Sequence, residues 1–188
     1  MNTDKLFSLV INEVLNTADL NKGIYIVVLH ATRIPPHIGL LVDKQYHSLT
    51  IKGQDCNTPI DALLRNINHR KIASLFIKIN SHPIFSNSYL SEHFILNIKQ
   101  FTRVDTGIAT CLSPLKLFFD EVYNVSMENV NFLYDLLPAL YSKELINSIE
   151  SLFIDDPSFQ LPYYTSTEIN REIKLVRNNF TEKDNIII

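Results

Sequence analysis

The feature that most constrains the fold is the run GIYIVVLH, Gly23 to His30. Six consecutive residues of this run, Ile24 to Leu29, are apolar, and four of them are β-branched. Such a composition is typical of a strand that is buried on both faces rather than of an edge strand. Asn21-Lys22-Gly23, just before this run, is a signal for the end of the preceding predicted helix. The sequence therefore predicts a strand over Ile24–Leu29 at the centre of a sheet.

Two further strands are predicted directly after a proline-containing loop. Pro35 and Pro36 cannot donate to a β-ladder, so Arg33–Pro36 is interpreted as a loop. The segments His37–Val42 and Tyr46–Lys52 then read as antiparallel strands joined by a tight turn at Lys44-Gln45. Gly39 is one of only four glycines, and its missing side chain lets another backbone or a substrate approach this strand closely.

The remaining apolar patterns alternate between strand and helix and together predict an α+β fold with a mostly antiparallel sheet packed against helices. Ile72–Ile79 is a fourth predicted strand. We predict one domain over residues 1–155 that includes an N-terminal helix, and a polar C-terminal appendage over 156–188. The predicted helices are Leu6–Leu15, Thr58 to about His69, Ser88–Phe101, a helix that begins close to Cys111, two short helices within Glu128–Leu137 and Ala139–Ile149 separated by Pro138, and Glu168–Val176.

Composition excludes several classes of protein. A hydrophobic fraction of 46% in 188 residues is that of a chain with a true core. The net charge of −3 and the scattered basic residues argue against nucleic-acid binding. No apolar window is long enough for a membrane span, and the N-terminus does not resemble a signal peptide, so we expect a cytoplasmic protein.

The best candidates for catalytic residues are Cys111 and His37. The reactive form of cysteine is the thiolate, which is favoured at a helix N-terminus and beside a histidine. Cys111 lies at a predicted helix start, and His37 lies at the start of a predicted strand. A third group must hold the imidazole in the correct tautomer, and His47, Ser48 or Thr50 on the next strand could present it.

The order of these residues resembles that of the circularly permuted papain-like thiol hydrolases, the permuted branch of the NlpC-like clan. The resemblance rests on HIGLLV (His37–Val42), on His47 in the second strand and on TCLSP (Thr110–Pro114), and it covers about Gly23 to Asn124. It implies that Cys111 is the nucleophile, His37 the general base and His47 the orienting residue. It also implies hydrolysis or acyl transfer at an amide, peptide or ester bond, with no metal or organic cofactor. The substrate stays open.

Each of these residues also has a structural interpretation. Free cysteines are often small core residues, which applies to Cys56 and, taken alone, to Cys111. His30, His69, His82 and His93 are interpreted as structural or exposed, and Asp55 as a turn residue. No second ligand lies at helical spacing from Glu92-His93, so a metal site is not predicted. The alternative function is therefore a non-catalytic binding domain of the same fold.

Overall fold

A computed structural model describes residues 9–11, 13–156 and 158–184. Within these residues the chain is α+β, with seven strands and five α-helices. In chain order the elements are β1 (Glu13–Val14), a short 3₁₀ helix (Asp19–Asn21), β2 (Ile24–Leu29), β3 (His37–Val42), β4 (Gln45–Leu49), β5 (Gln54–Pro59), α1 (Ile60–Arg70), β6 (Ser74–Ile79), α2 (Asn87–Lys99), α3 (Ser113–Tyr123), α4 (Leu133–Tyr141), β7 (Ile146–Leu152) and α5 (Ser166–Asp184).

The strands form one sheet in the order β1-β7-β6-β2-β3-β4-β5. All neighbouring pairs are antiparallel except β1 and β7, which pair in parallel. β2 lies between β6 and β3, and all six of its residues are buried. The prediction of a central strand over Ile24–Leu29 and of a mostly antiparallel sheet is therefore confirmed.

The predicted hairpin is present, with its turn one residue earlier than expected. Val42 pairs with Gln45, so the two-residue turn is Asp43-Lys44 rather than Lys44-Gln45. Both turn residues have positive φ, 40° and 71°, as hairpin turns that match the twist of the strands require. The Asp43 carboxylate holds the turn by accepting a hydrogen bond from the Gly23 N–H at 2.8 Å.

The two faces of the sheet are covered by different helices, because neighbouring strand residues point to opposite sides. Ile26 and Ile38 face the larger core, which contains the buried residues of α2, α3 and α4. Tyr25 and Phe76 face the smaller core, which α1 covers with Leu63, Ile67 and the first residue of the helix, Ile60.

The predicted helices differ from the structure in two regions where they can be compared. The helix predicted over Leu6–Leu15 is not found in its described part, where Glu13–Val14 is a strand; residues 6–8 and 12 lie outside the described residues. In place of two helices separated by Pro138, one helix, α4, contains this proline. Of the segment predicted as the second of those helices, residues 139–141 end α4 and residues 146–149 begin β7, which pairs with β6.

The segment predicted as a polar appendage contributes to the core. Leu161 and Ile173 belong to the larger cluster of buried residues, and Ile173 is on α5. Arg177, also on α5, donates to Asp105 at 2.6 Å and so ties this helix to the loop before α3. Among the described helices, none has both the length and the apolar character that a bilayer crossing requires.

Candidate functional site

One end of the sheet opens into a cavity of about 940 Å³. Its walls are the loop between β2 and β3, the turn between β4 and β5, the residues just before α3 and α4, and one face of α5. A cavity of this size is ample for a small ligand. Both His37 and Cys111 line it, although they are 74 positions apart in the chain. Among the described residues no hydrogen bond joins the Cys111 sulfur to the His37 ring, and Cys111 packs against the larger core.

Cys111 is held by a tight turn immediately before α3. The Thr110 N–H donates to the Ser113 hydroxyl at 3.0 Å, and the Ser113 N–H donates back to the Thr110 carbonyl at 3.0 Å. The Leu112 N–H donates to the Thr110 hydroxyl at 3.2 Å. Because α3 begins at Ser113, the prediction of a helix start close to Cys111 is confirmed to within two residues.

Burial raises the pKa of the Cys111 thiol above its ordinary value. The backbone amides of Ile38, of Cys111 itself and of Leu112 partly oppose this rise. The sequence predicts a lowered pKa for this thiol because it lies just before a helix. The pKa is raised instead, because the loss of hydration outweighs the effect of the nearby amide dipoles. The influence of the Ile38 amide also places the sulfur beside the strand that carries His37.

His37 is the first residue of β3 and is partly buried. Its Nε2 lies 3.2 Å from the Ser48 hydroxyl, while Nδ1 has no hydrogen-bond partner among the described residues. Burial lowers the pKa of His37 to about 4; Asp55 opposes this shift, and His30 adds to it. The imidazole is thus neutral near pH 7, with Nδ1 available as a base when Nε2 donates to Ser48.

His47 lies on the other face of the sheet and does not orient His37. Its Nδ1 accepts a hydrogen bond from the Asn57 N–H at 3.1 Å, and its Nε2 lies 3.1 Å from the Ser91 hydroxyl on α2. The ring is fully buried and packs edge-on against Phe94 at 6.3 Å. His47 therefore links β4 to β5 and α2, and the role that the resemblance implied for it is replaced by a structural one.

Of the other two residues considered for the orienting role, only Ser48 contacts the His37 ring. The Thr50 hydroxyl is engaged in its own turn, where it donates to the Gly53 carbonyl at 2.9 Å. With a two-residue turn, the even-numbered residues of β4 share a face with the odd-numbered residues of β3. That alternation was readable from the sequence and already favoured Ser48 over His47.

Gly39 makes room for a side chain of the neighbouring strand. An added Cβ would lie 2.5 Å from the His47 carbonyl oxygen and 2.6 Å from the Tyr46 hydroxyl. The close approach expected at Gly39 is thus made by the backbone of β4 and by the Tyr46 ring. This ring lies on the face of the sheet that carries His37 and Ser48, and its hydroxyl is buried.

Asp55 is the site residue that sequence analysis missed. The sequence predicts a turn residue here, but Asp55 lies in β5, pairs with Ser48 across the ladder and lines the cavity. Its carboxylate accepts a hydrogen bond from the Thr58 hydroxyl at 2.5 Å and opposes the fall in the His37 pKa. A polar row of His37, Ser48 and Asp55 therefore crosses three strands, and His37 and Asp55 line the same cavity as Cys111.

The remaining candidates do not form a second chemical site. Cys56 is a partly buried residue of β5 that packs against the larger core. His93 is paired with Glu121 at 2.8 Å, and His82 holds the loop before α2 by accepting from two backbone N–H groups. No group of three or more His, Cys, Asp or Glu side chains in the described part of the chain is placed to hold a metal ion.

No protein-family model, curated protein or solved structure matches this chain. The chemistry of the site is therefore argued from its own residues.

Proposed function

We propose that this protein is a thiol hydrolase or acyltransferase that acts through a covalent acyl-enzyme, with a papain-like site in permuted order. The observation that carries the proposal is that His37 and Cys111 both line the same cavity, with the sulfur beside the Ile38 amide. The base comes from a strand that precedes the cysteine in the chain, in agreement with the permuted order that the resemblance implies.

In the proposed reaction the Cys111 sulfur attacks the carbonyl carbon of an ester or amide, and its proton passes to Nδ1 of His37. The bond to the leaving group then breaks, and His37 returns the proton to that group. Water attacks the resulting thioester, giving one proton to His37, and the carbon–sulfur bond breaks as the thiol re-forms; an acceptor alcohol or amine in place of water gives acyl transfer.

The surrounding residues support this sequence of steps. Ser48 holds the ring by accepting from Nε2–H, and Asp55 favours the protonated imidazole that forms in the transition state. The Cys111 N–H takes no part in the hydrogen bonds of the turn, which are made by Thr110, Leu112 and Ser113. This N–H can donate to the oxyanion that develops on the carbonyl.

The second candidate is a binding domain that uses the same cavity without chemistry. The pKa of the Cys111 thiol is raised and that of His37 is lowered to about 4, and both shifts oppose a thiolate–imidazolium pair in the resting protein. If catalysis occurs, it therefore starts from a neutral pair, and proton transfer accompanies the attack of the sulfur. The two candidates differ in whether an acyl group is transferred to Cys111.

The decisive experiment is to incubate the protein with p-nitrophenyl butyrate and measure butyryl adducts by intact mass and peptide mapping. We expect acylation at Cys111, loss of that adduct in Cys111→Ala, and a decrease of roughly 100-fold or more in His37→Ala. Cys56→Ala is the matched control and should react like wild type. Circular dichroism and thermal unfolding of each variant establish that it is folded.

The pH dependence of the acylation rate distinguishes attack by a neutral Cys111–His37 pair from attack by a Cys111 thiolate that acts without His37. Acylation that needs neutral His37 and a neutral thiol should vary little between pH 5.5 and 8, whereas attack by a free thiolate of high pKa gains roughly tenfold for each pH unit. Acylation of Cys111 that is no faster than that of Cys56, or that persists in His37→Ala, would remove the catalytic proposal and leave the binding domain.

A further inference from the structure

A basic cluster lies at one end of the cavity, formed by His30, Arg33 and Arg70. His30 and Arg33 belong to the loop after β2, and Arg70 is the last residue of α1; all three line the cavity. Burial lowers the pKa of His30, and the positive charges of Arg33 and Arg70 lower it further, so the two guanidinium groups act on the same imidazole.

The backbone that carries the cluster is anchored. The Arg33 N–H donates to the His30 carbonyl at 2.8 Å, and the Ala31 N–H donates to the Ala73 carbonyl at 2.9 Å. Ala31 is fully buried. At the end of α1, the Ile72 N–H donates to the Ile67 carbonyl at 3.0 Å and fixes the chain just after Arg70. Both arginines are exposed, start from fixed backbone positions and line the same cavity.

Neither arginine has an ion-pair partner among the residues that the structure describes. Two acidic side chains also line the cavity, but they lie elsewhere in its wall: Asp55 is bonded to Thr58, and Glu172 is on α5. The charged groups that lower the pKa of His30 are the two arginines, and His30 in turn lowers the pKa of His37. The walls next to the cluster are apolar and include Leu29, Ile34 and Ile72.

We propose that this cluster binds the anionic group, a carboxylate or a phosphate, of a ligand whose apolar chain lies along the cavity. Arginine presents fixed donors that match either group, and a neutral imidazole can add a further donor. His30 directly follows Leu29, which pairs with His37, so the anion site adjoins the catalytic base. The identification of this ligand as the substrate rests on the proposed function. The substrate is then an acyl compound with an anionic group away from its reacting carbonyl.

The test measures binding of octanoate and octyl phosphate to the Cys111→Ala protein by calorimetry, with octanamide as the neutral counterpart. We expect both anions to bind more tightly than octanamide, and Arg33→Gln and Arg70→Gln each to weaken the anions by roughly two- to fivefold with little effect on octanamide. The preference between the two anions identifies the group. Arg65→Gln removes the same charge from an exposed position of α1 outside the cavity and should bind like the parent.

A second measurement follows His30 by NMR. A bound anion should raise the pKa of His30 from its lowered value, because a nearby negative charge favours the protonated ring. Because the binding assay uses a protein without the Cys111 thiol, it stands apart from the acylation assay. Arginine-dependent binding without acylation would reject the hydrolase and keep the anion site. Equal binding of octanoate, octyl phosphate and octanamide, or anion binding that both arginine variants leave unchanged, would overturn the anion site whatever the acylation result.

Discussion

Acidification from pH 7 to pH 5 should destabilise the fold through His47. The Nδ1 atom of this ring accepts from the Asn57 N–H, so the neutral form carries its proton on Nε2 and donates it to the Ser91 hydroxyl. A second proton, on Nδ1, would face the Asn57 N–H, so that two donors would meet inside a fully buried site. Burial accordingly lowers the pKa of His47 to about 4, with Asp55 opposing the shift.

The sign and size of the effect follow from linkage. In the unfolded chain a histidine has its ordinary pKa of about 6.5, so between about pH 6.5 and pH 4 the unfolded state binds the proton and the folded state does not. The contribution of neutral His47 to the free energy of unfolding is therefore fully present above about pH 6.5 and is lost as the pH falls toward about 4. For His47 alone the loss between pH 7 and pH 5 is roughly 2 kcal/mol.

The assay is urea unfolding of wild type and of His47→Asn at pH 7, 6 and 5. Asn keeps an acceptor near the position of Nδ1 but does not titrate, so this variant should be less stable at pH 7 and should lose roughly 2 kcal/mol less on acidification. His69→Asn, on the exposed side of α1, is the matched control and should follow wild type. Equal pH dependence in wild type and His47→Asn, or an NMR titration of His47 near pH 6.5, would refute the argument.

Two further predictions concern packing. Gly39→Ala should lower the free energy of unfolding by about 1–3 kcal/mol, since the new methyl group meets the His47 carbonyl and the Tyr46 ring; an unchanged urea midpoint would contradict this. Phe118→Ala should cost about 3–5 kcal/mol, because Phe118 is fully buried between Phe94 and Phe119 with ring centroids 5.5 and 5.3 Å away. Phe153, which is 42% exposed, is the control position, and a similar loss in Phe153→Ala would show that Phe118 is not a special core residue.

The parts of the fold that follow from local pattern were predictable. The bounds of β2 and β3 agree with prediction because both strands are apolar runs set between clear stop signals. α1 also agrees closely, since Pro59 marks its start and tertiary contacts do not alter it.

The errors occur where tertiary contacts outweigh local preference. Pro138 costs α4 roughly 3 kcal/mol by its missing N–H and its ring, but the helix buries Leu133, Leu136, Leu137 and Leu140, each of which contributes about 2 kcal/mol. β7 is half-buried with Glu150 in the strand, so its apolar residues fit a helical period as well as a strand. β5 contains no β-branched run, and its pairing with β4 identifies it.

The residues of the candidate site could be proposed from the sequence, but the directions of their pKa shifts could not. The residue types and their order indicate Cys111 and His37, whereas the resemblance implied His47 as the orienting residue although strand alternation favours Ser48. The direction of the pKa shifts depends on how much water the surrounding fold removes, which no local pattern encodes. Asp55 was missed for the same reason as β5, because only the cross-strand pairing places it next to Ser48.

The contribution of α5 to the cavity wall has a consequence for biosynthesis. On a translating ribosome, His37 and Cys111 are made before the helix that closes their side of the cavity, because 55 positions separate Cys111 from Ser166. At roughly 5–20 residues per second, this interval lasts about 3–11 s. During that time the nascent chain can fold its central strands around β2 while the thiol still faces an open cleft. The thiol is therefore most accessible to electrophiles and to chaperones before α5 is made, and the Arg177–Asp105 ion pair can form only after the ribosome has synthesised α5.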